Sequence, residues 1–155
     1  MDTYLGFLAV NAKPMTRQEY NDLCGWTLSD DQDGDDVGYL VQDQVTEHID
    51  WQSKAVFNKI FRNNGNITFS DALEVMKRGG RVSRSGWNGK GMFIFLVPGS
   101  TFQVNREPLM SILGEGTTVH YHGHVDMRTA DGMIVPWLCS QTDMLAEDWS
   151  IVPDA

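Results

Sequence analysis

A tryptophan, an amide and an ammonium group lie close together in the glycine-rich stretch of residues 85–92, directly before an apolar run at residues 93–98. Trp87 supplies a large flat ring, Asn88 an amide, and Lys90 a positive charge. Glycines let backbone N–H groups approach a ligand closely, so such a turn suits a base or sugar ring that carries phosphates. The alternative is a turn whose tryptophan folds back to cover the core, and the segment alone favours that structural role.

Further groups of the same chemistry follow in the second half of the chain. They are Trp137, the run Gln141–Asp143, and the pair Asp148–Trp149. Indole rings offer stacking faces, while amide, hydroxyl and carboxylate groups hydrogen-bond base edges and ribose hydroxyls. Each group alone is more often part of a core or a turn. Together they indicate a small-molecule site as strongly as a structural role.

Residues that commonly carry catalysis or bind metals show no convincing pattern. His120, His122 and His124 alternate and so share one face of a predicted strand, which is more typical of an ordinary exposed strand than of a metal site. Cys139 and Ser140 lack the local signature of a nucleophile, and the sequence has no Walker or Ser-His-Asp motif. We therefore expect no metal, no cofactor and no catalytic residue.

Composition and charge narrow the class of protein. The chain has 155 residues and a net charge of −9, which argues against nonspecific binding to DNA or RNA. No apolar run approaches the roughly 18 residues of a membrane span, and the first residues lack the features of a signal peptide, so we expect a cytoplasmic protein without membrane contact. Five basic residues between Lys77 and Lys90 leave room for a local anion site, and the distant Cys24 and Cys139 are expected to be free thiols.

A polar, loop-forming cluster at residues 62–66 divides the chain into a predicted first domain, residues 1–62, and a second, residues 67–152. Hydrophobic periodicity and capping signals predict two strands and two helices in the first domain. These are a strand over residues 4–10, a helix capped by Thr16 and Glu19, a strand at residues 38–41, and a helix capped by Ser53.

The second domain is predicted to be a small antiparallel sheet packed against one main helix. The helix begins after Thr68 and ends at Gly79–Gly80. The predicted strands cover residues 81–84, 92–97, 118–127, 133–138 and 148–152, with a short helix at residues 109–113. The fold class is therefore α+β, preceded by a small α+β module.

The run from Thr68 to Val152 resembles the Thoeris anti-defence protein 2 family of phage proteins. The matching motifs are Phe69–Leu73, Arg84–Met92, Leu96–Ser100, Tyr121–His124, Met127–Gly132 and Val135–Trp149. Residues 1–62 resemble another small phage module of no established activity, through the motifs Lys13–Tyr20, Gly25–Trp26, Gly38–Val41 and Trp51–Lys54.

The resemblance implies a signal sponge in the cytoplasm of the infected bacterial host. Members of the family form homotetramers that sequester cyclic ADP-ribose isomers made by TIR-domain proteins, without cutting them, and some also hold cyclic dinucleotides. Trp87 would then stack on adenine, Asn88 would bind ribose or phosphate, and Arg81, Arg84 or Lys90 would face the diphosphate. The ligand-binding residues expected on this basis are Arg84, Trp87, Asn88, Gly89, Lys90, Trp137, Gln141, Thr142, Asp143 and Asp148.

Two other functions remain open at this point. The chain is alternatively a structural or host-interaction module of the phage with no nucleotide ligand, or an enzyme that hydrolyses a nucleotide. The enzyme is the weakest of the three, because no general base accompanies a metal motif.

Overall fold

The computed structural model describes residues 1–3 and 6–153, and the chain forms two compact units, Met1–Arg62 and Asn63–Ala155. Cys24 and Cys139 are free thiols, as expected. Among the described residues, no helix is both long and apolar enough to cross a membrane.

The first unit contains a three-stranded antiparallel sheet and two short helices. The strands are β1 (Val10–Thr16), β2 (Val37–Asp43) and β3 (Ile49–Ser53), in the order β1-β2-β3, and the helices are α1 (Arg17–Cys24) and α2 (Lys54–Ile60). The predicted strand over residues 4–10 is wrong for Gly6–Ala9, which precede β1 in irregular structure, while Tyr4 and Leu5 lie outside the described residues.

Local capping sets the start of α1. The Thr16 hydroxyl accepts a hydrogen bond from the Glu19 N–H, and the Glu19 carboxylate accepts one from the Thr16 N–H at 2.7 Å. This capping box satisfies two backbone donors that a helix start otherwise leaves unpaired, and it confirms the prediction made from the spacing of the two residues.

The second unit is a five-stranded antiparallel sheet with one main helix and a two-stranded extension. The elements are α3 (Phe69–Lys77), β4 (Arg81–Arg84), β5 (Phe93–Val97), β6 (Ser100–Gln103), α4 (Leu109–Leu113), β7 (Thr118–Tyr121), β8 (His124–Arg128), β9 (Ile134–Pro136), α5 (Gln141–Met144) and β10 (Trp149–Val152). The sheet order is β10-β4-β5-β8-β9, and β6 pairs with β7.

The core of this unit lies between α3 and one face of the sheet. Ala72 and Met76 of α3 are buried against Val82, Ile94 and Trp149, which are all completely buried. One face of α3 is apolar, and so are the alternate strand residues that face it. Packing the helix on the sheet removes both apolar surfaces from water. The α+β fold class predicted from the sequence is confirmed.

The strand predicted over residues 118–127 is interrupted in the structure. Residues His122–Gly123 and the opposing Pro98–Gly99 separate the β5–β8 pair from the β6–β7 pair, yet both pairs keep the same residue register. A Cβ on Gly99 would lie only 2.8 Å from the Tyr121 carbonyl oxygen. Glycine thus permits a close backbone approach where this long ribbon is broken, and β6–β7 continues it beyond the sheet.

Candidate functional site

An arginine held by two carboxylates forms the centre of the candidate site. Arg84, the last residue of β4, donates from Nε to Asp148 Oδ1 at 2.7 Å and from Nη1 to Asp143 Oδ1 at 2.6 Å. The side chains of Arg84, Asp143 and Asp148 are 12%, 14% and 31% exposed. Short charge-assisted bonds between partly buried groups hold all three side chains in one geometry.

Each carboxylate is itself positioned by a local turn. The Ser140 hydroxyl accepts from the Asp143 N–H at 3.0 Å, capping α5, and donates to Asp143 Oδ2 at 2.6 Å. Asp148 Oδ2 accepts from the Gly86 N–H at 2.8 Å and from the Ser85 hydroxyl at 3.0 Å. Asp148 therefore anchors the turn that leads from β4 toward Trp87.

Trp87 belongs to a cluster of aromatic rings beside this centre. Its Nε1–H donates to Asp143 Oδ1 at 3.1 Å, and its ring meets the Trp149 ring edge-on, with centroids 5.4 Å apart. Trp137 contacts both rings, and Phe69 of α3 lies next to Trp137 and Trp149. The indole of Trp87 is half-buried and packs on the core, so the structural role considered for it is present in this structure. Stacking of a ligand on the remaining surface of the ring stays a prediction.

Trp149 contributes to the core and not to a surface for stacking. The ring is completely buried, and its Nε1–H donates to the Asp143 carbonyl oxygen at 3.0 Å. Its grouping with the candidate ligand-binding residues in the sequence is therefore wrong. Arg84 lies over the same ring, with Cζ 5.9 Å from the centroid.

The electrostatics of the centre follow from these bonds. Burial opposes ionisation of Asp143, but hydrogen bonds from Ser140, Arg84 and Trp87 outweigh it and lower the pKa of the carboxyl. The hydrogen bond from Arg84 is the largest cause that lowers the pKa of Asp148, and the same bond raises the pKa of Arg84. All three groups are charged at neutral pH, and together they carry a net charge of −1.

The two bonded carboxylates make a contact between Arg84 and a phosphate, as predicted from the sequence, less favourable. The two carboxylates already neutralise the guanidinium, and a phosphate brought to it would meet them as well. The geometry favours Arg84 as a residue that positions the Trp87 turn and α5. Its contact with a diphosphate stays a prediction without support from these bonds.

The other predicted residues lie around this centre. Asn88 and Lys90 are exposed, as are Gln141 and Thr142 on α5, and Trp137 is half-buried after β9.

Gly89 packs closely, since a Cβ there would lie 2.6 Å from the Ala130 Cβ. Among the described residues, no protein acceptor bonds the backbone N–H groups of residues 88–91, here called the glycine loop. Those groups are open to solvent or to a ligand.

Some residues of the centre were missed from the sequence. Ser85 and Gly86 bind Asp148 only because β4 and β10 are paired, and sequence spacing carries no sign of that pairing. The role of Ser140 was readable, because a serine three residues before an aspartate is a typical helix N-cap.

The histidine strand is arranged differently from a metal site. His124 Nε2 lies 3.6 Å from Asp126 Oδ1, whereas His120 faces the Thr101 hydroxyl at 2.9 Å. In the part of the chain that the structure describes, no three His, Cys, Asp or Glu side chains are grouped so that they could hold a metal ion.

Comparison with known proteins identifies the family. The model of the Thoeris anti-defense 2-like (Tad2-like) domain matches residues 67–152, more than half of the chain, so the chain belongs to this family. It is similar to Thoeris anti-defense 2 of Bacillus phage SP01, with 43% identity over 91 residues that cover 56% of this chain and 94% of that protein. The resemblance read from the sequence motifs is confirmed, and membership of the family supports a phage anti-defence role.

Proposed function

We propose that the protein protects a phage by sequestering a cyclic nucleotide immune signal in the cytoplasm of the infected bacterium. The ligand is glyco-cyclic ADP-ribose made by TIR-domain proteins, or a cyclic dinucleotide, as the family resemblance implies. The ligand is held and not cleaved. The observation that carries this proposal is the indole of Trp87, fixed by Asp143 next to a glycine loop whose N–H groups bond to no acceptor in the described part of the chain.

The fixed indole suits tight binding. Nanomolar affinity requires about −12 kcal/mol, and a site whose groups are already ordered spends less of its interaction energy on ordering them. Trp87 is held at both its N–H and its ring, so it loses little freedom when a ligand binds. Asn88 and the glycine loop lie next to it in the chain and offer donors for ribose or phosphate.

The carboxylates of the centre favour sequestration over hydrolysis. A general base or acid works best when its pKa lies near the working pH. The pKa values of Asp143 and Asp148 are instead lowered, and both groups are bonded to Arg84. The centre therefore holds structure in place and is poorly suited to proton transfer at neutral pH.

A homotetramer, implied by the family resemblance, would help to enclose the ligand. Exposed apolar side chains lie beside the candidate site, with Leu138 91% and Leu145 78% exposed. Burial of such side chains between subunits removes apolar surface from water and favours association. In the proposed assembly, the exposed Thr142 of an adjacent chain reads the base or ribose, while Asp143 stays bonded to Arg84, Trp87 and Ser140 of its own chain.

Calorimetric titration with glyco-cyclic ADP-ribose tests the proposal directly. Trp87→Phe keeps a ring but removes the N–H that Asp143 accepts, so we expect its affinity to fall about tenfold or more relative to wild type. Trp26→Phe, a change at an exposed ring in the first unit, is the matched control and should bind like wild type. Equal binding by the two variants, or none by the wild type, would contradict the proposed site.

The first unit calls for a proposal of its own. It lies outside the residues that match the family, and it exposes Leu23 and Trp26 at the end of α1, each 59% exposed. We propose an accessory or assembly role for it, consistent with the alternative of an interaction module. The full-length variant Leu23→Asp tests this role. We expect it to lose the partner proteins that co-purify with wild type from infected cells, while its affinity for the ligand stays unchanged.

A further inference from the structure

The sheet face opposite α3 carries a second cluster of chemical groups. Val82 and Met127 point into the core, so the alternating residues Arg81, Phe93 and Arg128 lie on the other face. The Cζ atoms of Arg81 and Arg128 are 5.2 and 6.0 Å from the centroid of the Phe93 ring. Two guanidinium groups therefore share one aromatic ring, on the face away from Arg84 and Asp143.

Arg128 is a positive charge that no carboxylate neutralises within the described residues. The two acidic residues nearest in sequence make other contacts. Asp126 lies on the same face of β8 as Arg128, with its Oδ1 3.6 Å from His124 Nε2, and Asp131 accepts from the Thr129 hydroxyl in its own turn. This differs from Arg84, whose charge is balanced by two bonded carboxylates.

Most of the hydrogen-bonding capacity of Arg128 is unused. Nη1 donates to the Gly91 carbonyl oxygen at 3.1 Å, and the other N–H groups have no acceptor in the part of the chain described. A guanidinium carries five N–H donors in a flat fork. Four of them make no hydrogen bond within the described residues.

Glycines leave this guanidinium open to approach. Gly91 and Gly132 have φ values of 72° and 89°, and a Cβ on either would lie 3.6 Å from a terminal nitrogen of Arg128. Neither position places a side chain beside the fork. Lys90, next to Gly91, is exposed, and the glycine loop adds N–H groups that bond to no acceptor of residues 1–3 and 6–153.

We propose that Arg128, with Lys90 and the glycine loop, binds a phosphate group. A guanidinium fork matches two phosphate oxygens, and successive backbone N–H groups bind the same kind of anion. Charges more than about 8 Å apart are largely screened at physiological ionic strength, so the net charge of −9 does not prevent an anion from binding to Arg128 at short range. The inference rests on the proposed function, because the site shares Lys90 and the glycine loop with the proposed messenger site; binding of a simple phosphate compound tests it separately from the messenger.

Binding of inorganic pyrophosphate to the full-length protein tests this site. We expect saturable binding by wild type, a loss of about tenfold or more in Arg128→Gln, and wild-type affinity in the control Arg106→Gln, an exposed arginine of the same unit. Equal affinity of Arg128→Gln and wild type, or no saturable binding by wild type, would overturn the proposal.

Two further arms complete the test. If Arg128→Gln does not fold, the exposed Lys90→Gln decides: weaker binding with a smaller salt dependence supports the site, and unchanged affinity overturns it. Adenosine diphosphate is compared with pyrophosphate. Equal affinities identify recognition of the phosphates alone, tighter binding of the nucleotide identifies a nucleotide phosphate, and binding of adenosine as tight as the diphosphate overturns the proposal.

Discussion

A single carboxylate oxygen links the charged centre to the aromatic cluster. Asp143 Oδ1 accepts from both Arg84 and Trp87, so one atom fixes the guanidinium and the indole together. Its partners lie 59 and 56 positions away in the sequence. The sequence identified all three residues as candidates for the site, but their spacing gave no sign that they hydrogen-bond to one another. The contact depends on the pairing of β4 with β10.

Replacement of Asp143 by asparagine tests this link. The amide keeps the shape but removes the charge that Arg84 requires, so we expect the free energy of unfolding to fall by about 2 kcal/mol. Urea denaturation followed by tryptophan fluorescence measures the change. Glu115→Gln removes an exposed charge in the same unit and should leave stability within about 0.5 kcal/mol of wild type. Equal stability of the two variants would show that the centre is not structural.

Acid should weaken the centre in a defined direction. The folded-state pKa values of Asp143 and Asp148 are lowered, so their contribution to stability is complete above the unfolded pKa of about 3.9 and is lost as the pH falls through the folded values. We expect unfolding free energy to drop steeply below about pH 4. Asp143→Asn should show a shallower slope in urea titrations over that range. The same slope in both proteins would assign the acid sensitivity to other groups.

At the scale of elements, the sequence predicted the helix starts that depend on neighbouring residues, but not the strand ends that depend on distant ones. The capping residues of α1 and α3 lie within three positions of their partners, and both were predicted correctly. The interruption between β7 and β8 was missed, because the alternation of residues 118–127 continues through it. In the folded chain, His122–Gly123 lies opposite Pro98–Gly99, and the ribbon is broken where these two segments meet.

Gly99 should be intolerant of any side chain. A Cβ would come within 2.8 Å of the Tyr121 carbonyl oxygen, so the backbone of the ribbon must shift. We expect Gly99→Ala to cost about 2 kcal/mol of unfolding free energy, measured by chemical denaturation. Gly6→Ala meets no atom within 4 Å and should be nearly neutral. If the two substitutions cost the same, the close approach at Gly99 is not a constraint.

At the scale of the whole molecule, the family match divides the chain as the folding units do. Residues 67–152 carry the family domain, and the first unit stands outside it. The motif runs in the sequence were sufficient to recognise the family and the α+β class. They could not show that Arg84 is neutralised while Arg128 is not, since both are arginines in short strands and only their neighbours in space differ.

The proposed tetramer makes a prediction at this scale. Leu138 and Leu145 are strongly exposed, and burying them between chains would stabilise an assembly. We expect wild type to be tetrameric in sedimentation analysis and the double variant Leu138→Asp/Leu145→Asp to dissociate. Val45→Asp, at an exposed position in the first unit, should leave the assembly intact. A monomeric wild type would refute the tetramer.

Capture and release of the messenger tests the central proposal most directly. Purified protein is mixed with glyco-cyclic ADP-ribose, free ligand is removed, the protein is denatured by heat, and the released molecule is analysed. We expect intact messenger, in an amount that matches the protein. A chemically altered messenger would mean that the protein is an enzyme. Failure to capture either this messenger or a cyclic dinucleotide would contradict sequestration and favour the interaction module.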